Sequence, residues 1–251
     1  MPLDLSRREL VGSSLALGAL FLAGCKNNQV AHGDDLPAPV RPGGSPAPPP
    51  PLAQTTRAPV QAPGAVGPAP GVIQRASWTS RGPARPGEIN PMNGVNRITV
   101  HHDGMDPFSS TSQADAARRL EMIRASHINR RPQPFADIGY HFIIDPAGRV
   151  WEGRSVRYQG AHVQDHNEHN LGIMVMGNFD RQRPTPAATN ALDRFVAAQM
   201  RAYRVPIGRV YTHQELNPTA CPGRNLQGYM VASRRGGNLR MAAGLMQLDV
   251  A

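Results

Sequence analysis

Asp137-Ile138-Gly139-Tyr140-His141-Phe142-Ile143-Ile144-Asp145-Pro146-Ala147-Gly148-Arg149-Val150-Trp151-Glu152 reads as two strands around a Pro/Gly turn, a hairpin. Upstream, Arg97-Ile98-Thr99-Val100 is a short β-branched run that ends at His101-His102. Downstream, Leu171 to Gly177 is a continuous apolar run after Asn170, as in a strand buried on both faces. Between these, Thr111 to Arg130 repeats Ala116, Leu120, Ile123 and His127 at helical spacing behind Ser112, an N-cap residue. Thr185-Pro186 opens a second helix with a cap and a proline at its first position, and Leu192, Phe195, Val196, Met200 and Tyr203 share one face. Strands alternate with helices, so the expected fold is α/β: a central mixed β-sheet flanked by helices, in a single domain over residues 72–251. Residues after Leu226 are weakly patterned and suggest no function.

The chain has 251 residues with 25 Pro and 25 Gly, too much proline for one compact domain throughout. Much of it lies between Leu36 and Gly71, where Pro, Ala, Gly, Val and Gln dominate and no core can form. Proline fixes φ and removes amide donors, so residues 25–71 read as an extended spacer of roughly 3 Å per residue.

Before the spacer, Arg7-Arg8, an apolar stretch from Leu10 to Leu22 and then small residues form an export signal over residues 1–24. As a helix it rises about 20 Å, short of the roughly 30 Å needed to span a bilayer. Leu22-Ala23-Gly24-Cys25 resembles a bacterial lipobox, which implies cleavage before Cys25, lipidation of its thiol and a membrane-anchored lipoprotein facing the periplasm or cell wall. The alternative, an ordinary secretory signal with a spare thiol, leaves unexplained why the cysteine directly follows Leu-Ala-Gly. Removing Arg7, Arg8, Asp4 and Glu9 leaves 25 basic against 16 acidic residues, so the net charge stays at +9. Such charge favours anionic polymers and headgroups. The arginines are scattered, without a basic stripe or interleaved aromatics, which argues against nucleic acid; Arg234-Arg235 reads as solvated surface. A monomer is expected.

Cys221 follows His213 by eight residues on a Pro-containing loop. If Cys25 is lipidated, Cys221 has no disulfide partner, so it is either buried and inert or used. Zinc takes thiolate and imidazole; His213 and Cys221 supply two ligands, and a strand-end histidine, His101 or His102, supplies a third. Three protein ligands leave one position open, as a hydrolytic zinc site requires. The same set also holds copper, but the short Cys–His–Met loop of electron-transfer copper sites is missing.

Val100-His101-His102, Asp137 to Phe142, Gly148 to Arg154, Gly160-Ala161-His162, Leu171-Gly172-Ile173 through Gly177-Asn178-Phe179, and His213 through Cys221-Pro222-Gly223 occur in that order. The set resembles the type 2 N-acetylmuramoyl-L-alanine amidases, which include phage amidases and peptidoglycan recognition proteins. Arg75-Ala76-Ser77-Trp78 is similar to the start of the recognition-protein branch. The resemblance covers about Arg75 to Leu226. It implies a zinc hydrolase that cuts the amide between N-acetylmuramic acid and L-alanine in peptidoglycan or muropeptides. It also implies Zn²⁺ on His101, His213 and Cys221, with Tyr140 and Thr219 catalytic. Asp103 stands where the family motif carries Ser or Thr, which leaves His101 and His102 both open as the strand-end ligand.

His162 reads as a substrate contact or, equally, as a histidine that supports a ligand. Trp151 and Arg154 read as hairpin packing and a surface ion pair. The rival function is a non-catalytic muropeptide-binding module; such relatives typically lose a zinc ligand, and all three positions are filled here. A structural wall anchor working through lipid and spacer alone leaves the ordered motifs unexplained.

Overall fold

The structure, a computed structural model, describes residues 71–248. The export signal, most of the spacer and Cys25 lie outside the described residues. In chain order the elements are β1 (Val72–Ile73), β2 (Arg97–His102), α1 (Gln113–Ile128), β3 (Phe142–Ile144), β4 (Val150–Glu152), β5 (Asn170–Val175), α2 (Pro186–Ala202), β6 (Val210–Thr212), α3 (Arg224–Arg235) and α4 (Asn238–Leu248). The six strands form one mixed sheet in the order β1-β4-β3-β5-β2-β6. Only the β3–β4 pair is antiparallel. Sequence and structure therefore agree on a mixed sheet flanked by helices. No helix among the described residues is long and apolar enough to cross a membrane.

Alternation along the strands sorts side chains to two faces. Ile98, Val100, Leu171, Ile173 and Val175 pack against α2, α3 and α4, while Ile143, Trp151 and Met174 pack against Ala116, Leu120 and Ile123 of α1. Both helix starts follow from their caps: Ser112 Oγ accepts the Asp115 N–H and Thr185 Oγ1 accepts the Ala188 N–H.

The first strand of the hairpin begins later than its sequence suggests, at Phe142 rather than Gly139. The Gly139 N–H donates to His127 Nδ1 at 3.0 Å, and its carbonyl accepts from Ala161 N at 3.0 Å. At Gly139, contacts to α1 and to the 160–162 loop thus take the place of ladder bonds, whereas the Tyr140 and His141 carbonyls still accept from the Arg154 and Gly153 N–H groups and the His141 N–H donates to the Gly172 carbonyl.

Helix α1 also carries two buried arginines. Arg119 donates to both carboxylate oxygens of Asp103, at 3.0 and 2.9 Å, and Asp103 further accepts the Met105 and Gly177 N–H groups. The acid at a position where Ser or Thr was expected is thus an internal anchor for the end of β2. Arg124 and Arg75 share Asp137 Oδ1, and Trp78 Nε1 donates to the Glu152 carbonyl, which ties the first segment to the hairpin.

Two sequence expectations are corrected here. Arg154 is no surface ion pair: it is 5% exposed and donates to the carbonyls of Asp137, Ile138 and Gln159. Arg234 is not simply solvated, since its guanidinium holds Glu215 and the Val210 carbonyl. The weakly patterned end of the chain forms α3 and α4, whose Leu226, Met230 and Leu239 complete the core under α2.

Candidate metal centre

Strand β2 lies between β5 and β6, and Val100 pairs with Thr212. His101 therefore lies at the end of β2, one residue before its last, beside the point where His213 leaves β6 in a single 3-10 turn, and their ring centroids lie 4.7 Å apart. Successive strand residues point to opposite faces. His101, fully buried, turns to the α1 side of the sheet, while His102 turns the other way and its Nδ1 accepts the Phe179 N–H at 3.2 Å.

Cys221 reaches the same spot from the loop before α3. Its carbonyl accepts the Gln214 N–H at 2.9 Å and its own N–H donates to Thr219 Oγ1 at 3.2 Å, which fastens the loop to the His213 turn. Gly223 follows with φ +83, and a Cβ there would lie 2.6 Å from the Phe179 carbonyl carbon, so only glycine suits this return toward the sheet. The Cys221 Sγ lies 3.6 Å from His101 Nδ1. One ligand atom from each of His101, His213 and Cys221 falls within 4.8 Å of the other two.

The hydrogen-bond pattern decides which nitrogen of His101 is available. His162 Nε2 lies 3.1 Å from the Asn170 carbonyl, which only accepts, so Nε2 carries the proton and Nδ1 the lone pair. His162 Nδ1 lies 3.0 Å from His101 Nε2, so His101 Nε2–H donates to it. The lone pair of His101 is then on Nδ1, the atom that faces the Cys221 sulfur. The His162 ring fits because Gly160 and Gly172 flank it: a Cβ on either would come within 2.2 or 2.6 Å of its Cδ2.

A zinc ion suits this donor set. An imidazole nitrogen and a thiolate on one tetrahedral zinc lie about 3.5 Å apart, close to the 3.6 Å between His101 Nδ1 and Cys221 Sγ. Ligation also needs neutral imidazoles. Burial lowers the pKa of His101 well below its ordinary value, with His162 and His213 adding to the effect. Burial first, and His102 second, bring His213 to about 4.

Tyr140 is half-buried, its ring centroid 5.1 Å from that of His101 and 5.4 Å from that of His127. Thr219 is exposed on the cysteine loop; its oxygen accepts from the Cys221 N–H and its hydroxyl proton can be donated outward. His162 is buried with both ring nitrogens engaged, so of its two sequence readings the supporting one fits its placement. His127 was read only as a helix-face residue, yet it stands beside Tyr140 with burial lowering its pKa to about 4. Its place at the end of a helix that leads into the Tyr140 segment was the available signal. Asn170, at the outer end of the histidine relay, gave none, because it contributes a backbone carbonyl.

At the C-terminal ends of β2 and β6, two imidazoles and one cysteine sulfur converge beside a tyrosine, an arrangement able to hold a metal ion in an α/β domain. The family model described as N-acetylmuramoyl-L-alanine amidase matches residues 91–224, and the chain belongs to that family. It is 31% identical over 156 residues to a peptidoglycan-recognition protein of Drosophila simulans, covering 62% of this chain and 82% of that one. It is 29% identical over 159 residues to an N-acetylmuramoyl-L-alanine amidase of Sus scrofa, covering 61% of this chain but 26% of the relative. Among solved structures, peptidoglycan recognition protein LE in complex with tracheal cytotoxin, a monomeric diaminopimelic acid-type peptidoglycan, aligns with a TM-score of 0.59 at 27% identity, covering 68% of this chain and 98% of that one.

Proposed function

We propose that this domain is a zinc-dependent N-acetylmuramoyl-L-alanine amidase, hydrolysing the amide that joins the lactyl group of N-acetylmuramic acid to L-alanine in peptidoglycan or its fragments. The observation that carries the reading is the converging set of His101 Nδ1, His213 and Cys221 Sγ. Bound there, zinc would supply the Lewis acidity that lets water attack an amide at neutral pH. His162 and the Asn170 carbonyl keep the proton of His101 on Nε2 and its lone pair inward. The phenol of Tyr140 donates a hydrogen bond to the oxyanion as the carbonyl becomes tetrahedral, and the Thr219 hydroxyl offers a second donor. The buried histidines around them stay neutral and add no competing positive charge.

A muropeptide fits as substrate because relatives recognise peptidoglycan, one of them captured with tracheal cytotoxin. Similarity to recognition proteins also supports a binder that does not cut; incubating purified muropeptide with the zinc-loaded chain and looking for a free L-alanine amino terminus separates the two. A lipid on Cys25 and the spacer behind it would hold the domain to a membrane within reach of the wall. Soluble native protein in cell fractionation would overturn that arrangement.

A further inference from the structure

Glu215 lies two residues after His213 and is gripped from outside the 91–224 family match. Arg234 of α3 donates to both Glu215 oxygens, Oε2 at 2.8 Å and Oε1 at 2.5 Å, and also to the Val210 carbonyl at 2.6 Å. Glu215 Oε2 in turn accepts the Thr212 N–H at 2.8 Å, while Gln227 Nε2 donates to Oε1 at 3.2 Å. The backbone is thereby fixed at Val210 and Thr212 before His213, and the Glu215 side chain is held after it. The Arg234 and Glu215 side chains are 18% and 26% exposed, and a bidentate guanidinium–carboxylate pair this sheltered holds direction as well as distance.

We infer that Arg234 is a positioning residue for the metal ligand His213: α3 acts as a clamp that sets the aim of the His213 ring through Glu215 and Thr212. This rests on the metal reading above. Loss of the clamp would leave the core contacts of Leu226 and Met230 in place and release the ligand-bearing turn. The effect should therefore fall on metal affinity more than on folding, in the range of about 10- to 100-fold usual for groups that orient a ligand.

The test is a competition titration of zinc against a chelator on the full chain, purified in detergent, for the native protein and for Arg234→Met, Arg234→Lys and Arg235→Ala. Melting of the metal-free forms is followed in parallel. The clamp predicts zinc affinity about 10- to 100-fold lower for Arg234→Met, an intermediate loss for Arg234→Lys, which keeps charge but not the fork, and no change for the exposed Arg235→Ala. Native-like zinc affinity in Arg234→Met, with or without a lower metal-free melting temperature, would show that Arg234 only fastens α3 and would overturn the inference. A native chain that fails to bind zinc would overturn the metal reading itself, and this inference with it.

Discussion

His101 Nε2 lies 3.0 Å from His162 Nδ1, and this contact, closed at its outer end by the Asn170 carbonyl, fixes the tautomer of His101. It follows that His162→Ala should lower zinc affinity by about 10- to 100-fold without removing a ligand. The same chelator competition reads it. Unchanged affinity would mean that the relay does not aim His101.

The two adjacent strand-end histidines should separate cleanly. His101→Ala and Cys221→Ser are expected to lose bound zinc, measured by elemental analysis. His102→Ala should keep it but fall in stability by about 1–3 kcal/mol in urea unfolding, since the buried Phe179 N–H loses its acceptor. Loss of zinc in His102→Ala with retention in His101→Ala would reverse the ligand assignment.

Tyr140→Phe deletes one hydroxyl from a half-buried residue and no metal ligand, so zinc content should stay native. Turnover of muropeptide should fall on the order of 10²-fold. Near-native turnover would reduce Tyr140 to packing.

His141 sets an acid limit on folding. Its Nδ1 accepts the Gly172 N–H and its Nε2 donates to the Tyr158 carbonyl, so both nitrogens serve the neutral ring. Burial lowers its pKa to about 4, against 6.5 in the unfolded chain. The unfolded state takes up a proton first as pH falls, so this group's contribution is complete above about pH 6.5 and declines down to about pH 4, for a total near about 3 kcal/mol. Urea unfolding in chelator, to exclude metal release, should show that decline, and His141→Gln should make it shallower, the other buried histidines supplying the rest. An equal slope in the variant would assign the acid sensitivity to other groups.

Much of this could be read locally. The caps at Ser112 and Thr185 and the apolar run from Leu171 write their own secondary structure, and the ordered motifs join His213 and Cys221 to a strand-end histidine, His101 or His102. What was illegible depends on pairing in space. The choice between His101 and His102 needed the strand's facing, which a one-residue shift reverses. Arg154 and Arg234 looked like ordinary surface charges because nothing in their neighbourhoods announces the carbonyls and the carboxylate that receive them. The relay through His162 needed two distant glycines, Gly160 and Gly172, to flank one ring.

The central claim is tested most directly by mass spectrometry of peptidoglycan fragments incubated with the zinc-loaded native chain, with Cys221→Ser as the control. The account predicts stem peptides with a free L-alanine amino terminus and a matching intact N-acetylmuramic acid product, both absent with Cys221→Ser. Fragments that bind the zinc-loaded native chain and are recovered uncut would contradict it.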